Sequence, residues 1–139
     1  MIELPKREIK FRAWDKRKKK MIYNFFISSV GGGIWQKTGH ELYPISHAIG
    51  NALMQYTGLE DKNGREIYEG DIVECLWGRG VVCFGGYLNI GGYDTSSCCY
   101  GFHVETREGN CTLTDDEYTE VIGNIFENPG LLEGNKENG

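Results

Sequence analysis

The sequence predicts a mainly β protein: a small, partly open barrel of the SH3 type, with an N-terminal β-hairpin and at most short helical segments. Three observations predict it. Apolar and polar residues alternate over short runs and do not recur at helical spacing. Turn signals recur roughly every 8–12 residues, as in sandwiches and barrels. Glycine supplies 20 of 139 residues, about twice its usual share. It falls in clusters such as Gly31-Gly32-Gly33, Gly85-Gly86 and Gly91-Gly92, which suit tight reversals and bulges.

The elements follow in order. In residues 8–14, Ile9, Phe11 and Ala13 fall on one face and Lys10, Arg12 and Trp14 on the other. This is a strand with one buried side. Asp15 to Lys18 reverse the chain and Met21 to Ile27 return it, giving a hairpin over 8–27. Residues 34–52 carry the weakest pattern. Ser46 is placed to cap a short helix near 46–54, and Pro44 and Gly50 keep it short.

Leu53 to Leu59 form the next strand, and Asp61-Lys62-Asn63-Gly64 is a turn. The aspartate opens it through its side chain, and Asn-Gly tolerates left-handed backbone. Glu66 to Tyr68 follow, then a second turn at Glu69-Gly70-Asp71. Ile72 to Trp77 and Val81 to Phe84 are strands separated by Gly78-Arg79-Gly80. Residues 85–101 read as a long irregular hairpin or loop. Phe102 to Thr106 and Cys111 to Leu113 are further strands, 115–118 a loop or one helical turn, and Thr119 to Ile125 the last strand. The barrel begins near residue 53, with the hairpin packed on it. Residues 1–132 make one domain and 133–139 a frayed polar tail.

Charge is unevenly spread. The chain carries −5 in all, yet residues 1–20 hold nine bases and three acids, so the other 119 residues carry −11. A basic head on an acidic body excludes general nucleic-acid affinity for the body. No apolar run reaches the roughly 18 residues of a membrane span, and the first residues lack a signal-peptide layout. A cytoplasmic location is expected. Five cysteines without a C-x-x-C pair make no disulfide framework, so reduced thiols are expected. The spacing of Cys98, Cys99 and His103 matches no zinc knuckle. No metal and no other cofactor is expected.

Binding residues fall into two groups. Lys18, Lys19 and Lys20, in the run Lys16 to Lys20, suit phosphate contacts. Arg12 and Trp14 share a strand face with Lys10 and extend that surface towards nucleic acid or an acidic peptide. Tyr56, Tyr68 and Trp77 lie in the barrel part, where aromatics line peptide grooves when they are not core. Chemistry has little support. Glu66, Glu69, Asp71 and Glu74 invite a general-acid or metal reading, but Asp71 better suits bonding turn amides. His40, His47 and His103 are scattered, and no P-loop or nucleophile motif occurs.

Several stretches together resemble the YopX family of phage and prophage proteins. They are Ile9-Lys10-Phe11-Arg12-Ala13-Trp14-Asp15, Leu53 to Leu59, Asp61 to Val73, and Glu120-Val121-Ile122-Gly123-Asn124-Ile125-Phe126-Glu127-Asn128-Pro129. The chain departs from the pattern between Gly78 and Tyr100 and at Gly130, where an acid is expected. The resemblance implies an SH3-like β core and a phage or prophage setting, and brings no catalytic residues. The expectation is a non-enzymatic accessory protein that binds another protein. The alternatives are a nucleic-acid-binding module using the basic hairpin, and a hydrolase of unknown type.

Overall fold

A computed structural model describes residues 3, 8–28, 33–46, 52–88, 98–114 and 117–133. The chain divides into two units, Lys10–Gln55 and a second made of Met1–Ile9 with Tyr56–Gly139. Each is built almost wholly from antiparallel strands.

In the first unit β1 (Phe11–Asp15) pairs with β2 (Lys20–Ile22), Ala13 facing Ile22 and Asp15 facing Lys20. On its other side β1 pairs with the first residues of β6 (Leu53–Glu60), from Phe11 opposite Gln55 to Ala13 opposite Leu53. The turn between β1 and β2 is held by Asp15, whose Oδ1 accepts the amides of Arg17 at 3.0 Å and Lys18 at 3.2 Å. The hairpin is therefore where the sequence puts it.

Its returning arm is shorter than expected. The chain bends at Tyr23-Asn24 and resumes as β3 (Phe26–Ile27), which pairs with β4 (Ile34–Thr38). Core packing explains the break. Ile22 and Phe25 are three residues apart and would face opposite ways on one continuous strand. The bend brings both to the small core of Ala13, Ile22, Ile34 and Ala52, with Ile45 and Leu53 beside it.

β4 continues into β5 (Glu41–Ser46) through a turn at Gly39-His40, completing a sheet of order β3-β4-β5. This corrects the helix expected near 46–54: Ser46 ends β5, and Leu53 and Met54 open β6. Residues 47–51 lie outside the described part. The one-sided reading of residues 8–14 is also corrected. Arg12, Ala13, Trp14 and Asp15 are all buried, so β1 is covered on both faces.

The second unit is a five-stranded sheet of order β11-β10-β9-β8-β12, curled into a partly open half-barrel. The strands are β8 (Asp71–Cys75), β9 (Gly78–Leu88), β10 (Cys98–Thr106), β11 (Gly109–Thr112) and β12 (Glu120–Asn124). The later part of β6 pairs with β7 (Glu66–Tyr68), Tyr56 facing Tyr68. Ile67, Val73, Val82, Val104, Cys111, Leu113 and Val121 form the core. Each large aliphatic side chain buried there contributes roughly 1.5–3 kcal/mol over an exposed one.

Residues 85–88 and 98–101 decide between the irregular hairpin and the loop expected there, in favour of hairpin arms. They extend β9 and β10 in unbroken register, Gly101 opposite Gly85 and Cys98 opposite Leu88. Residues 89–97 lie outside the described part. Residues 117–118 form a turn, in keeping with the loop or helical turn expected over 115–118, with 115–116 outside the described residues; a four-residue helix that was not expected, α1 (Gly130–Glu133), takes in the first residue of the expected tail. No helix among the described residues is long and apolar enough to cross a membrane.

The turn at Asp61 to Gly64 organises the start of this unit. Asp61 Oδ1 accepts the amides of Asn63 and Arg65, both at 2.9 Å, and Oδ2 accepts the buried Val121 amide at 2.9 Å. One carboxylate thus shapes the β6–β7 turn and ties it to β12. Gly64 closes the turn at φ +80° and donates to the Asp61 carbonyl at 3.0 Å. A β-branched residue is strained there, so Gly64→Val is expected to cost about 1–3 kcal/mol. An unchanged melting temperature for that variant would contradict the turn assignment.

Candidate functional site

The β3-β4-β5 sheet has an unusual outer face. A sheet packed on a core through one side ordinarily presents polar residues on the other. One side here sends Ile34 into the small core. The other carries Phe26 opposite Trp35 and Leu42 opposite Lys37. Phe26 is 55% and Leu42 59% exposed. With Ile27, Ser28 and His40 they line an open groove of about 580 Å³. That volume is within the range of ligand and peptide pockets. Lys37 and His40 put cationic or polar donors at its edge, so an apolar segment with acidic neighbours fits its chemistry.

The sequence-chosen residues fall elsewhere. Lys18, Lys19 and Lys20 are exposed at the β1–β2 turn, with Lys19 in the left-handed region at φ +52°. Arg12 and Trp14 are buried, which removes them from the surface that they were expected to form with Lys10. Tyr56 and Tyr68 are buried as well. Their rings meet at 5.5 Å with a 42° tilt, a core contact and not a groove wall. Trp77 is half exposed on the tight turn between β8 and β9, beside Arg79, Val81 and Glu105 to Glu108.

Asp71 and Glu74, two of the four carboxylates, have structural partners. Asp71 Oδ2 accepts the Tyr68 amide at 2.8 Å, as its place at the head of a strand predicts. Glu74 Oε1 accepts from Arg79 at 2.6 and 3.2 Å, and Arg79 also donates to the Leu131 carbonyl.

A second cluster lies on the outer side of the β9–β10 ribbon. Cys83 and His103 face each other across the two strands, and Glu105 is two residues along on the same side. The thiol, imidazole and carboxylate atoms lie within 4.8 Å of one another. Gly85 and Gly101 face each other next to this pair. Neither has a side chain to fill the space, and the Tyr87 ring stacks on His103 at 4.4 Å. His103 is 2% exposed, although it lies on the opposite side of the ribbon from the core residues Val82 and Val104. Burial, then the Glu105 charge and hydrogen bond and the more distant Glu69, push the Cys83 thiol up to about 11. A catalytic cysteine needs the opposite shift.

Sequence reasoning missed the groove for an identifiable reason. Phe26 and Ile27 were assigned to the returning arm of the hairpin, and Trp35 and Leu42 lay in the stretch without a clear pattern. The Thr38-Gly39-His40 turn signal, with Gly39 at φ +65°, was the available clue.

The described residues make a mainly β protein, with a partly open half-barrel sheet in one unit and an open groove on the three-stranded sheet of the other. The chain belongs to the YopX protein family, whose model matches residues 10–133. A crystal structure of protein EF1440 from Enterococcus faecalis is similar at 28% identity and a TM-score of 0.52, covering 91% of this chain and 99% of that one. No curated protein matches the chain.

Proposed function

We propose that this is a non-enzymatic accessory module that binds another protein through the outer face of the β3-β4-β5 sheet. The exposed Phe26 and Leu42, with the half-buried Trp35 beside them in the same groove, carry the reading. Apolar side chains gathered on the wet side of a sheet mark an interaction surface, whereas single exposed ones do not. Aromatic residues at the centre of such a patch supply most of the affinity of ordinary protein interfaces. The phage or prophage setting that the resemblance implies supports a location in the bacterial cytoplasm and a host or phage protein as partner. The double variant Phe26→Ser, Leu42→Ser is expected to fold with an unchanged far-ultraviolet spectrum and to weaken partner binding at least about tenfold, the loss of roughly 1.4 kcal/mol. Full binding by that folded variant would refute the assignment of this face.

A nucleic-acid reading retains one supporting observation, the exposed lysines of the β1–β2 turn. Its expected strength is low, because the rest of the chain is strongly acidic and repels a polyanion within the Debye length of about 8 Å. Binding to DNA or RNA at physiological salt is expected to be weak and non-specific. Submicromolar binding that is lost in Lys18→Gln, Lys19→Gln, Lys20→Gln, with a flatter salt slope, would reverse the order of the two readings.

A further inference from the structure

We propose that Cys83, His103 and Glu105 form a divalent-metal site, best matched to zinc, on the outer side of the β9–β10 ribbon. The site is separate from the groove of the first unit and does not depend on it. Three features of the cluster converge on a metal.

The first is the hydrogen-bonding state of His103. Its Nδ1 lies 2.9 Å from the Gly101 carbonyl oxygen. A carbonyl only accepts, so Nδ1 carries the proton. Nε2 faces Glu105 Oε1 at 3.3 Å, so a proton or a metal ion shared between the two atoms satisfies both. A backbone carbonyl on one ring nitrogen and a ligand on the other is the usual setting of a metal-binding histidine.

The second is rigidity. The cross-strand register fixes Cys83 opposite His103, and Tyr87 holds the imidazole plane. Tyr87 is itself tied down through its hydroxyl, 2.6 Å from Thr112 Oγ1. A site in which the most buried ligand is already oriented loses little entropy on binding.

The third is donor chemistry. One thiol, one imidazole and one carboxylate suit zinc better than magnesium or calcium, which take oxygen ligands. Bond lengths of about 2.0–2.3 Å put tetrahedral ligands roughly 3.3–3.6 Å apart. The Nε2–Oε1 pair is already at 3.3 Å. The remaining separations, at most 4.8 Å, close by rotation of Cys83 and of the exposed Glu105. Binding replaces the Cys83 S–H bond by an S–metal bond, and the proton leaves to the solvent. A fourth position remains for water. Cys83 is 20 residues from His103 along the chain and meets His103 and Glu105 only through strand register, which no local motif records.

The test uses the full chain, stripped of metal and titrated with Co²⁺ alone. The expected result is one ion per chain, with a thiolate-to-cobalt charge-transfer band in the near ultraviolet that Zn²⁺ abolishes by displacement. Cys83→Ser is expected to lose the band, and both Cys83→Ser and Glu105→Gln to weaken binding at least about tenfold. Neither residue is a core side chain, and circular dichroism checks that both variants fold. An undiminished band in Cys83→Ser, undiminished affinity in folded Glu105→Gln, or no uptake at micromolar Co²⁺ would overturn the site.

Discussion

Asp61→Ala is expected to be among the most damaging single substitutions in the chain, at about 2–4 kcal/mol. The carboxylate accepts three backbone amides, and that of Val121 is buried. Bonds to a charged acceptor are worth more than neutral ones, and removing the acceptor leaves donors desolvated without compensation. Because domains of this size are stable by only about 5–15 kcal/mol, the loss reads directly in a denaturant midpoint. A pH dependence accompanies it. Burial by itself raises the Asp61 pKa, but the Val121, Arg65 and Asn63 amides and the Arg65 charge outweigh it and hold the carboxyl below 3.8. A depressed folded pKa means that the contribution is complete above the unfolded value and is lost as pH falls through the folded one. The stability gap between the protein and Asp61→Asn is therefore expected to be flat near neutrality and to shrink below about pH 4. A gap that grows on acidification would contradict this account of the turn.

Gly80→Ala is the second large effect. An added Cβ would fall on the Glu105 carbonyl and within 2.7 Å of Val104 Cγ1. The carbonyl belongs to the neighbouring strand, so relief requires moving β10 away from β9, and overpacking of this kind costs about 1–3 kcal/mol. Gly86→Ala is the matched control on the same strand. Its nearest neighbours would be at 3.8 Å, an ordinary contact, and its expected cost is below about 1 kcal/mol. Thermal melts that rank the two variants equally would show that β9 and β10 do not approach as described.

The legible parts of this fold were those written in local chemistry. Asp61 to Gly64 and Asp71 could be read because turn-forming side chains bond amides only a few residues away. Most of the β8 to β12 strands could be read because short β-branched and apolar runs such as Ile72-Val73 and Val81-Val82 stand between glycine-marked turns, and Val73, Val82, Val104 and Val121 meet in one core. Three kinds of information were not local. The bend after Ile22 follows from a shared core that Phe25 must reach, and a window of seven residues cannot see that core. The burial of Arg12 and Trp14 depends on what covers both faces of β1. The meeting of Cys83 with His103 depends on the register between two strands whose glycine-rich connection, 85–101, reads only as an irregular hairpin or loop. The basic turn was legible as charge, while the aromatic groove was not, because its four side chains come from three strands and each is unremarkable alone.

The central claim is that protein recognition runs through the outer face of the β3-β4-β5 sheet and not through the basic turn. A photo-crosslinking amino acid placed at position 42, and separately at position 19, tests it in living cells. The account predicts one discrete protein adduct from position 42, abolished when Phe26→Ser is added. It predicts neither that adduct nor crosslinked nucleic acid from position 19. Crosslinked nucleic acid from position 19, with no protein adduct from position 42, would contradict it.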